Sequence, residues 1–293
     1  MKMTPMRSLL FVPALNERAV EKSKTLQCDA VILDLEDSIS LDCKEQARMA
    51  VVDVLQVGGF DAPLTIVRVN DVESPYFKAD ITSVSSLGVQ AVLVPKVNCA
   101  ADVLAVEQLL DIEPAAKDTK IWVMIETAMG VMNLREICAA SPRISGMVVG
   151  PNDLVKDLRA TETAGLEALL TSYGLCIIAA RAYGLICIDG VYKQFTDAQG
   201  FVENCAKGKV LGFDGKSLIH PSQITPANTQ YAPNADAIDL ANRQVKAFDL
   251  AKSQGKGVAV VDGELVEGLH ADSARNLLKM AQAIAERAKK EGT

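Results

Sequence analysis

The sequence predicts an α/β protein, a closed (β/α)₈ barrel followed by a C-terminal helical extension. Short apolar runs of strand length alternate with helical patterns eight times, which is typical of a parallel sheet. Hydrophobic residues make up 49% of the chain but aromatic ones only 4%, so the core is aliphatic, as in barrels. The glycine fingerprint of a doubly wound sheet, the alternative fold, does not follow the first strand.

The predicted elements follow from the spacing of apolar residues. The strands are residues 8–13, 29–37, 64–70, 91–97, 120–126, 145–153, 185–192 and 212–221. Helical spacing occupies residues 16–26, 44–57, 101–110 and 166–183, and another helical pattern begins at residue 131. We expect the barrel to span residues 1–230 and the helical extension residues 231–293, with a hinge at the glycine-containing segment 254–257.

Composition excludes several classes of protein. The net charge of -7 argues against nucleic-acid binding. The seven cysteines lack Cys-x-x-Cys spacing, so reduced thiols are expected rather than a disulfide frame or a zinc site. The apolar runs are far shorter than the ~20 residues of a membrane span, and the first is broken by Pro13, unlike a signal peptide. We therefore expect a cytoplasmic protein.

Polar residues stand at the carboxyl ends of the predicted strands. The carboxyl ends of barrel strands form one rim, which is where active sites of such barrels lie. Each residue alone can be structural, as a helix cap, a turn residue or a salt-bridge partner, but the set is a candidate site. Its members are Glu36, Asp37, Arg68, Asn70, Lys96, Glu126, Asp153, Asp189 and Lys216.

Glu126 and Asp153 follow neighbouring strands, with no other strand between them. Two carboxylates with water in the remaining positions suit Mg²⁺, and the absence of histidine from the rim argues against zinc or iron. The structural alternative for Glu126 is a cap of the next helix. Arg68 offers a planar fork that grips a carboxylate at two points. A metal beside such a clamp would chelate a 2-oxo or 2-hydroxy acid and polarise its carbonyl group. This combination suits an aldol or retro-aldol reaction.

Two other rim residues allow alternative interpretations. Lys96 could form a Schiff base, but we expect it to pair with the neighbouring acids, because a metal with a base accounts for more of the rim. His220, which precedes Pro221, can be structural or functional, and the sequence favours neither.

Eight segments in the same order resemble the citrate lyase β-subunit-like branch of the HpcH/HpaI aldolase superfamily, which includes malyl-CoA lyase and citramalyl-CoA lyase. The resemblance covers nearly the whole chain. The segments are RSLLFVP at 7–13, DLEDS at 34–38, RVN at 68–70, PK at 95–96, IETA at 125–128, Asp153, GFDGK at 212–216 and IHP at 219–221.

The resemblance implies roles for the rim residues. Glu126 and Asp153 would bind Mg²⁺, and Arg68 would hold the carboxylate of the oxo acid. The acids of the second strand, Glu36 and Asp37, would support metal-bound waters. The resemblance also implies a homotrimer or hexamer in which the C-terminal segment covers a neighbouring subunit's site. Arg7 and Lys96 would lie near the CoA thioester arm.

The chain departs from the family pattern in two places. Glu267 stands where the C-terminal lid of the CoA lyases carries an acid/base aspartate. The extra methylene moves the carboxyl group by more than about an ångström, enough to cost roughly a hundredfold in rate. Glu267 therefore keeps this catalytic role with an adjusted backbone, or His270 shares it, or the site favours another substrate; an exposed surface glutamate is the structural alternative. In 150–153, an amide at Asn152 replaces the family's glutamate.

The functional prediction is a Mg²⁺-dependent carbon–carbon lyase. It would cleave a β-hydroxyacyl-CoA of the citramalyl-CoA or malyl-CoA type into acetyl-CoA and a 2-oxo acid, with Arg68 and Glu267 as catalytic residues. Three alternatives remain open. They are a citrate lyase β subunit acting on a carrier-protein thioester, a malyl-CoA thioesterase, and a catalytically idle relative that binds CoA esters.

Overall fold

Eight parallel strands close into a barrel in the computed structural model, which describes residues 4–161 and 167–291. Each strand pairs with its neighbours in sequence, and β8 pairs with β1 to complete the ring. The strands are β1 (Ser8–Pro13), β2 (Ala30–Asp34), β3 (Leu64–Arg68), β4 (Ala91–Val94), β5 (Lys120–Ile125), β6 (Ile144–Val149), β7 (Ile186–Asp189) and β8 (Gly215–Leu218). The predicted (β/α)₈ barrel is confirmed.

Helices connect successive strands. They are α1 (Glu17–Lys24), α2 (Lys44–Val57), α3 (Phe77–Ser85), α4 (Ala100–Ile112), α5 (Ala128–Met132), α6 (Leu134–Ala139), α7 (Pro151–Asp157), α8 (Leu170–Tyr183) and α9 (Ala198–Leu211). The predicted helix at 166–183 begins at Leu170, and its first predicted residue belongs to 162–166, outside the described residues. Helices α3, α7 and α9 were not predicted from the sequence; in α3, serine and threonine residues weaken the helical pattern.

The barrel interior is filled by aliphatic side chains and one large aromatic ring. Trp122 of β5 is almost fully buried and is the largest side chain of this cluster. It stands opposite Gly146 of β6, where an added Cβ would lie 2.7 Å from the indole ring. Glycine at this strand position therefore makes room for the ring, as expected where large and small side chains alternate in a packed interior.

Residues 6–228 form one compact unit, and residues 4–5 with 229–291 form a second. The boundary predicted from the sequence lay at 230/231. The elements after β8 are α10 (Ile224–Tyr231), α11 (Ala235–Ser253), β9 (Ala259–Val261), β10 (Glu264–Val266) and α12 (Gly268–Glu291).

The second unit has a small core of its own. Helices α11 and α12 pack together, and Phe248, Val266 and Ala271 are buried between them and the hairpin of β9 and β10. The hairpin turns through Asp262 and Gly263, both with positive φ, as an Asp-Gly two-residue turn requires. This hairpin was not predicted from the sequence.

Membrane insertion of a helix is not indicated by the structure. Across the described ranges, no helix combines the length and the apolar character needed to cross a bilayer.

Candidate active site

Three charged side chains point into the barrel mouth because they continue the inward-facing positions of their strands. Ala30 and Ile32 of β2 belong to the interior cluster, so the next inward residue is Asp34. The same two-residue step places Arg68 at the end of β3 and Glu126 directly after β5. All three are buried, and all three line one cavity of about 340 Å³.

Arg68 is held by acids of the 34–37 segment. Its Nε donates to Oδ1 of Asp34 at 2.6 Å, and its Nη2 donates to Oδ2 at 2.7 Å. Its Nη1 lies 2.9 Å from Oε2 of Glu36, and its guanidinium carbon lies 4.8 Å from the centre of the Phe11 ring. Burial disfavours the charge, but Asp34 outweighs it, so the pKa of Arg68 is raised above its ordinary value. Arg68 is therefore a fixed cation at the cavity wall.

Glu36 and Asp37 contact the two cations of the rim. Glu36 is buried and forms an ion pair with the ammonium group of Lys96 as well as with Arg68. Burial raises the pKa of Glu36, although Arg68 and Lys96 oppose the shift. Asp37 is exposed and lies 3.5 Å from Arg68 and 3.9 Å from Lys96. The expected pairing of Lys96 with neighbouring acids is confirmed, whereas the support of metal-bound waters by Glu36 and Asp37 stays a prediction.

Glu126 presents one carboxylate oxygen to the protein and the other to the cavity. Its Oε1 accepts the backbone N–H of Lys96 at 2.9 Å. Among the described residues no donor reaches Oε2. Burial raises the pKa of Glu126 to about 7; the Lys96 N–H opposes the shift, and repulsion from Asp153 and Glu36 adds to it. Oε2 is thus a carboxyl oxygen without a partner among the described residues, the arrangement expected of a ligand for a cation.

Asp153 lies in the first turn of α7, directly above the end of β6. Gly150, Pro151 and Asn152 precede it and line the cavity, and Asp153 is close enough to Glu126 to raise the pKa of that residue by repulsion. A Cβ at Gly150 would collide with the Glu126 carboxyl group. Glycine at this position therefore leaves the space into which Oε2 points.

The mouth carries an excess of negative charge. Five carboxylates, those of Asp34, Glu36, Asp37, Glu126 and Asp153, lie at or near the mouth, where Arg68 and Lys96 form ion pairs and the buried Lys44 adds a third positive charge near Glu36. Within the described residues, no group of three or more histidine, cysteine or acidic side chains has the geometry of a complete metal site. Binding of Mg²⁺ by Glu126 and Asp153 stays a prediction. The rest of the cavity wall is apolar and includes Phe11, Met124, Val149, Val191 and Ile219.

Arg7 does not reach this mouth, which corrects the expectation that it contacts a CoA arm. Its Nε and Nη2 each donate to Asp29 at 2.8 Å, and its backbone N–H donates to the same carboxylate at 2.7 Å. Both residues precede their strands, β1 and β2, so the pair lies at the amino-terminal end of the barrel. The opposite end carries the cavity, and Arg7 is occupied as a buried ion-pair partner.

Asp189 and Lys216 face away from the cavity, although the sequence analysis placed them at the mouth. Ile188 points into the barrel, so its neighbour Asp189 points outward toward the helices. Lys216 donates to Asp189 at 2.6 Å and to the Gly190 carbonyl at 2.7 Å. Both side chains are almost fully buried. They form an ion pair of the layer between strands and helices.

The remaining predicted residues have local partners. Asn70 is buried and donates to Asp80 at 2.6 Å. His220 stacks on Phe195 with ring centres 4.8 Å apart, and its Nδ1 lies 2.7 Å from the hydroxyl of Ser222. In the second unit, the backbone N–H of Glu267 donates to Nδ1 of His270 at 3.0 Å. That nitrogen is therefore an acceptor, and the catalytic role of Glu267 stays a prediction.

Sequence reasoning did not assign a role to Asp34, which anchors Arg68. The signal was present, because Asp34 lies two residues after the inward-facing Ile32. Once the barrel shows that Ile32 and Ile188 face inward, counting side chains by alternation identifies Asp34 and excludes Asp189.

Curated relatives match almost the entire chain. A (3S)-malyl-CoA thioesterase of Cereibacter sphaeroides is 44% identical over 281 residues, which cover 96% of each protein. The citrate lyase subunit beta of Escherichia coli is 37% identical over 281 residues, covering 94% of this chain and 93% of the relative.

Solved structures have the same fold. The protein CitE of Mycobacterium tuberculosis, solved in complex with magnesium, acetoacetate and coenzyme A, superposes with a TM-score of 0.76 at 27% identity. The match covers 96% of this chain and all of that one. RipC of Yersinia pestis has a TM-score of 0.68 at 28% identity, covering 80% of this chain and 98% of that one.

The family model of the HpcH/HpaI aldolase/citrate lyase group matches residues 7–221, which contain all eight strands and the acidic mouth. Family members are enzymes, and the matched region carries the segments on which the resemblance was based. The chain belongs to the HpcH/HpaI aldolase/citrate lyase family.

Proposed function

We propose that the protein is a Mg²⁺-dependent enzyme that hydrolyses malyl-type CoA thioesters to CoA and the free hydroxy acid. The observation that carries the proposal is that one cavity contains both a Glu126 oxygen without a partner among the described residues and the fixed Arg68 cation. One group suits a metal and the other a substrate carboxylate. A short hydroxy acid has both a hydroxyl to coordinate and a carboxylate to pair.

The donor set fits Mg²⁺. The five carboxylates of the mouth outnumber the cations near them, and burial, together with repulsion from Asp153 and Glu36, raises the pKa of Glu126. A divalent cation at Glu126 and Asp153 would offset that repulsion, and the magnesium-bound relative supports this choice. When bound, Mg²⁺ supplies a Lewis acid that polarises the oxygens of a coordinated substrate.

Arg68 supplies binding and orientation. Asp34 occupies one edge of its guanidinium group and Glu36 pairs with Nη1, so the guanidinium group is fixed in direction before substrate arrives. A cation fixed in this way loses little conformational freedom on binding and orients the substrate carboxylate. Apolar side chains such as Val191 and Ile219 form another part of the cavity wall.

Hydrolysis is favoured by the 44% identity to the (3S)-malyl-CoA thioesterase over nearly the whole chain. In this reaction water adds to the thioester carbonyl, the carbon–sulfur bond breaks, and CoA leaves as the free thiol. Glu267 would take the proton from water. Because a water molecule can move with its base, this role tolerates the longer glutamate side chain better than removal of a proton from a fixed substrate hydroxyl.

Carbon–carbon cleavage is the second candidate, favoured by the 37% identity to a citrate lyase subunit beta. Here the base takes the hydroxyl proton, the carbon–carbon bond breaks, and the acetyl-CoA enolate takes up a proton. Malyl-CoA would then give glyoxylate, and citramalyl-CoA would give pyruvate. Both reactions use the same Arg68 and the same pair of metal-binding acids.

One assay separates the two candidates. Purified, Mg²⁺-loaded protein receives (3S)-malyl-CoA, both citramalyl-CoA isomers and citryl-CoA, and free thiol and oxo acid are measured separately. Thiol without oxo acid supports the hydrolase, whereas oxo acid with acetyl-CoA identifies the lyase. Glu126→Gln should abolish either reaction, and the exposed Glu45→Gln of α2 is the matched control. Absence of turnover on every thioester would contradict the proposal.

We extend the proposal to assembly: the C-terminal segment carrying Glu267 acts on the site of a neighbouring subunit in a homotrimer or hexamer. Mixing Glu126→Gln subunits with Glu267→Gln subunits under conditions of subunit exchange should restore part of the activity. Two inactive preparations that stay inactive after verified exchange would place both residues in one subunit.

A further inference from the structure

Lys96 follows β4 with a backbone that lysine disfavours. Its φ is 51°, in the left-handed region, where the Cβ atom is crowded by the backbone. Arg159 and Asp262 are the other non-glycine residues of this kind in the described ranges. Asp262 belongs to a hairpin turn that needs positive φ, but Lys96 lies at the catalytic mouth, where a strained residue indicates a specific task.

The left-handed backbone gives the amide of Lys96 a particular direction. Its N–H donates to Oε1 of Glu126 at 2.9 Å. Because that oxygen is engaged, the carboxyl group is held with Oε2 toward the space beside Gly150 and the cavity. Successive N–H groups point to opposite sides of an extended residue, so an extended residue at position 96 would turn its N–H away from the side on which the Val97 amide donates to the Met124 carbonyl at 3.3 Å. The Glu126 carboxyl group would then be free to rotate.

The side chain of Lys96 acts on a second acid. Its ammonium group pairs with Glu36, whose other oxygen lies 2.9 Å from Nη1 of Arg68. The charge of Glu36 is thereby shared between two cations. Without the ammonium group, Glu36 would form an ion pair with Arg68 alone and would repel a substrate carboxylate more strongly at this site.

We propose that Lys96 is a positioning residue, whose left-handed backbone orients the Glu126 carboxyl group while its ammonium group keeps Glu36 from neutralising Arg68. This inference rests on the proposed function for the identity of the ligands. It assigns Lys96 a role inside the acid network, distinct from contact with a CoA arm.

A substitution series isolates the backbone role. Lys96→Gly, Lys96→Ala and Lys96→Val all lack the ammonium group and differ in how readily they adopt positive φ, with glycine the most permissive. We expect the Kd for Mn²⁺, measured by calorimetry, to rise from Gly to Val by about tenfold. Equal Mn²⁺ affinity across the series would overturn the backbone role. The same series at Arg159, which is exposed, should leave Mn²⁺ binding unchanged.

Comparison of Lys96→Gly with the wild type isolates the ammonium role. The glycine variant keeps the amide N–H, so its Mn²⁺ affinity should stay within about threefold of the wild type. The Kd for L-malate in the presence of Mn²⁺ should rise about tenfold, because Glu36 then opposes the incoming carboxylate. Unchanged malate affinity would overturn this half of the proposal. Because malate binding needs no turnover, the test stands apart from the thioester assay.

A metal-independent measurement completes the test. In the metal-free protein, the Lys96 amide should be protected from hydrogen exchange, and its proton chemical shift should move when Glu126 is replaced by glutamine. A freely exchanging amide, or a shift insensitive to Glu126→Gln, would contradict the hydrogen bond. A wild-type protein that shows the protected amide but binds no Mn²⁺ would overturn the proposed function and leave the orientation of Glu126 by Lys96 supported.

Discussion

The Glu126 carboxyl group suits the proposed metal site but lowers the stability of the metal-free fold when it is ionised. Its pKa in the folded protein is raised to about 7 by burial, whereas an unfolded chain holds it at its ordinary acidic value. The folded state therefore binds the proton more tightly. The resulting stabilisation is fully present below the unfolded pKa and is lost as pH rises through about 7. Above that pH, the ionised carboxylate destabilises the metal-free fold.

Replacing Glu126 by glutamine should therefore stabilise the metal-free protein while abolishing activity. At pH 8 the expected gain is about 1–3 kcal/mol, because the amide keeps the Lys96 hydrogen bond without the buried charge. Thermal denaturation at pH 8 and pH 5 measures it. The difference between variant and wild type should shrink at pH 5, where the wild-type carboxyl group is largely protonated. A difference that does not change with pH would contradict the assigned ionisation.

Gly150→Ala should weaken metal binding by about tenfold or more. The new Cβ would occupy the place of the Glu126 carboxyl group and force it to rotate away from the cavity. Titration with Mn²⁺ checks this outcome. Gly174→Ala is the matched control, since no atom lies within 4 Å of its added Cβ. That change in α8 should raise stability by about 0.4–1 kcal/mol and leave Mn²⁺ affinity unaltered.

Alternation along the strands decides which polar residues reach the active site. In β7 and β8, Ile188 and Ser217 face the barrel, so Asp189 and Lys216 point to the helices and pair there. The two ends of the barrel also carry different kinds of polar residues. The carboxyl ends carry the site, whereas the amino ends carry the Arg7–Asp29 ion pair, which ties β1 to β2.

Arg7→Met should lower stability and leave substrate affinity intact. Removing the guanidinium group deprives the buried Asp29 of its cation, although the backbone N–H of residue 7 remains, and costs about 3–5 kcal/mol. Denaturant unfolding measures the loss, and the KM for the best thioester should stay within about twofold of the wild type. Arg68→Met provides the contrast, because it should reduce kcat/KM by about a hundredfold or more. A KM that rises strongly in Arg7→Met would indicate that Arg7 contacts the substrate.

The closed barrel gathers residues from distant segments into one site, so metal binding is linked to the stability of the fold. Asp34, Arg68 and Glu126 come from three strands that meet only when the barrel closes. A ligand that binds this arrangement and not the unfolded chain stabilises the protein by mass action.

Mg²⁺ should therefore raise the melting temperature by several degrees. At a concentration about a hundredfold above Kd, the expected stabilisation is about 2.7 kcal/mol, which corresponds to roughly 5–10 °C. Calorimetric scans with Mg²⁺ and with EDTA measure the difference. Glu126→Gln serves as the control and should show no response to either addition. A wild-type melting temperature that changes with neither Mg²⁺ nor EDTA would contradict the metal site.

Much of the fold and part of the site could be read from the residue order. The eight apolar runs, the closed barrel, the position of Glu126 after β5 and the pairing of Lys96 with acids all follow from local patterns. The roles assigned to Arg68, Glu126 and Asp153 came from strand ends and from resemblance to a family, which the matched region 7–221 supports. The hairpin of β9 and β10 and the position of Arg7 were not predicted.

Local sequence fixed the elements because backbone propensity and hydrophobic spacing act within a few residues of one another. It did not fix which side of a strand each polar residue occupies, since that depends on the register of barrel closure. Nor did it reveal that Asp34 secures Arg68, or that the left-handed Lys96 amide reaches Glu126. These contacts, and the raised pKa of Glu126, arise from segments far apart in sequence that meet in a buried, weakly screened site.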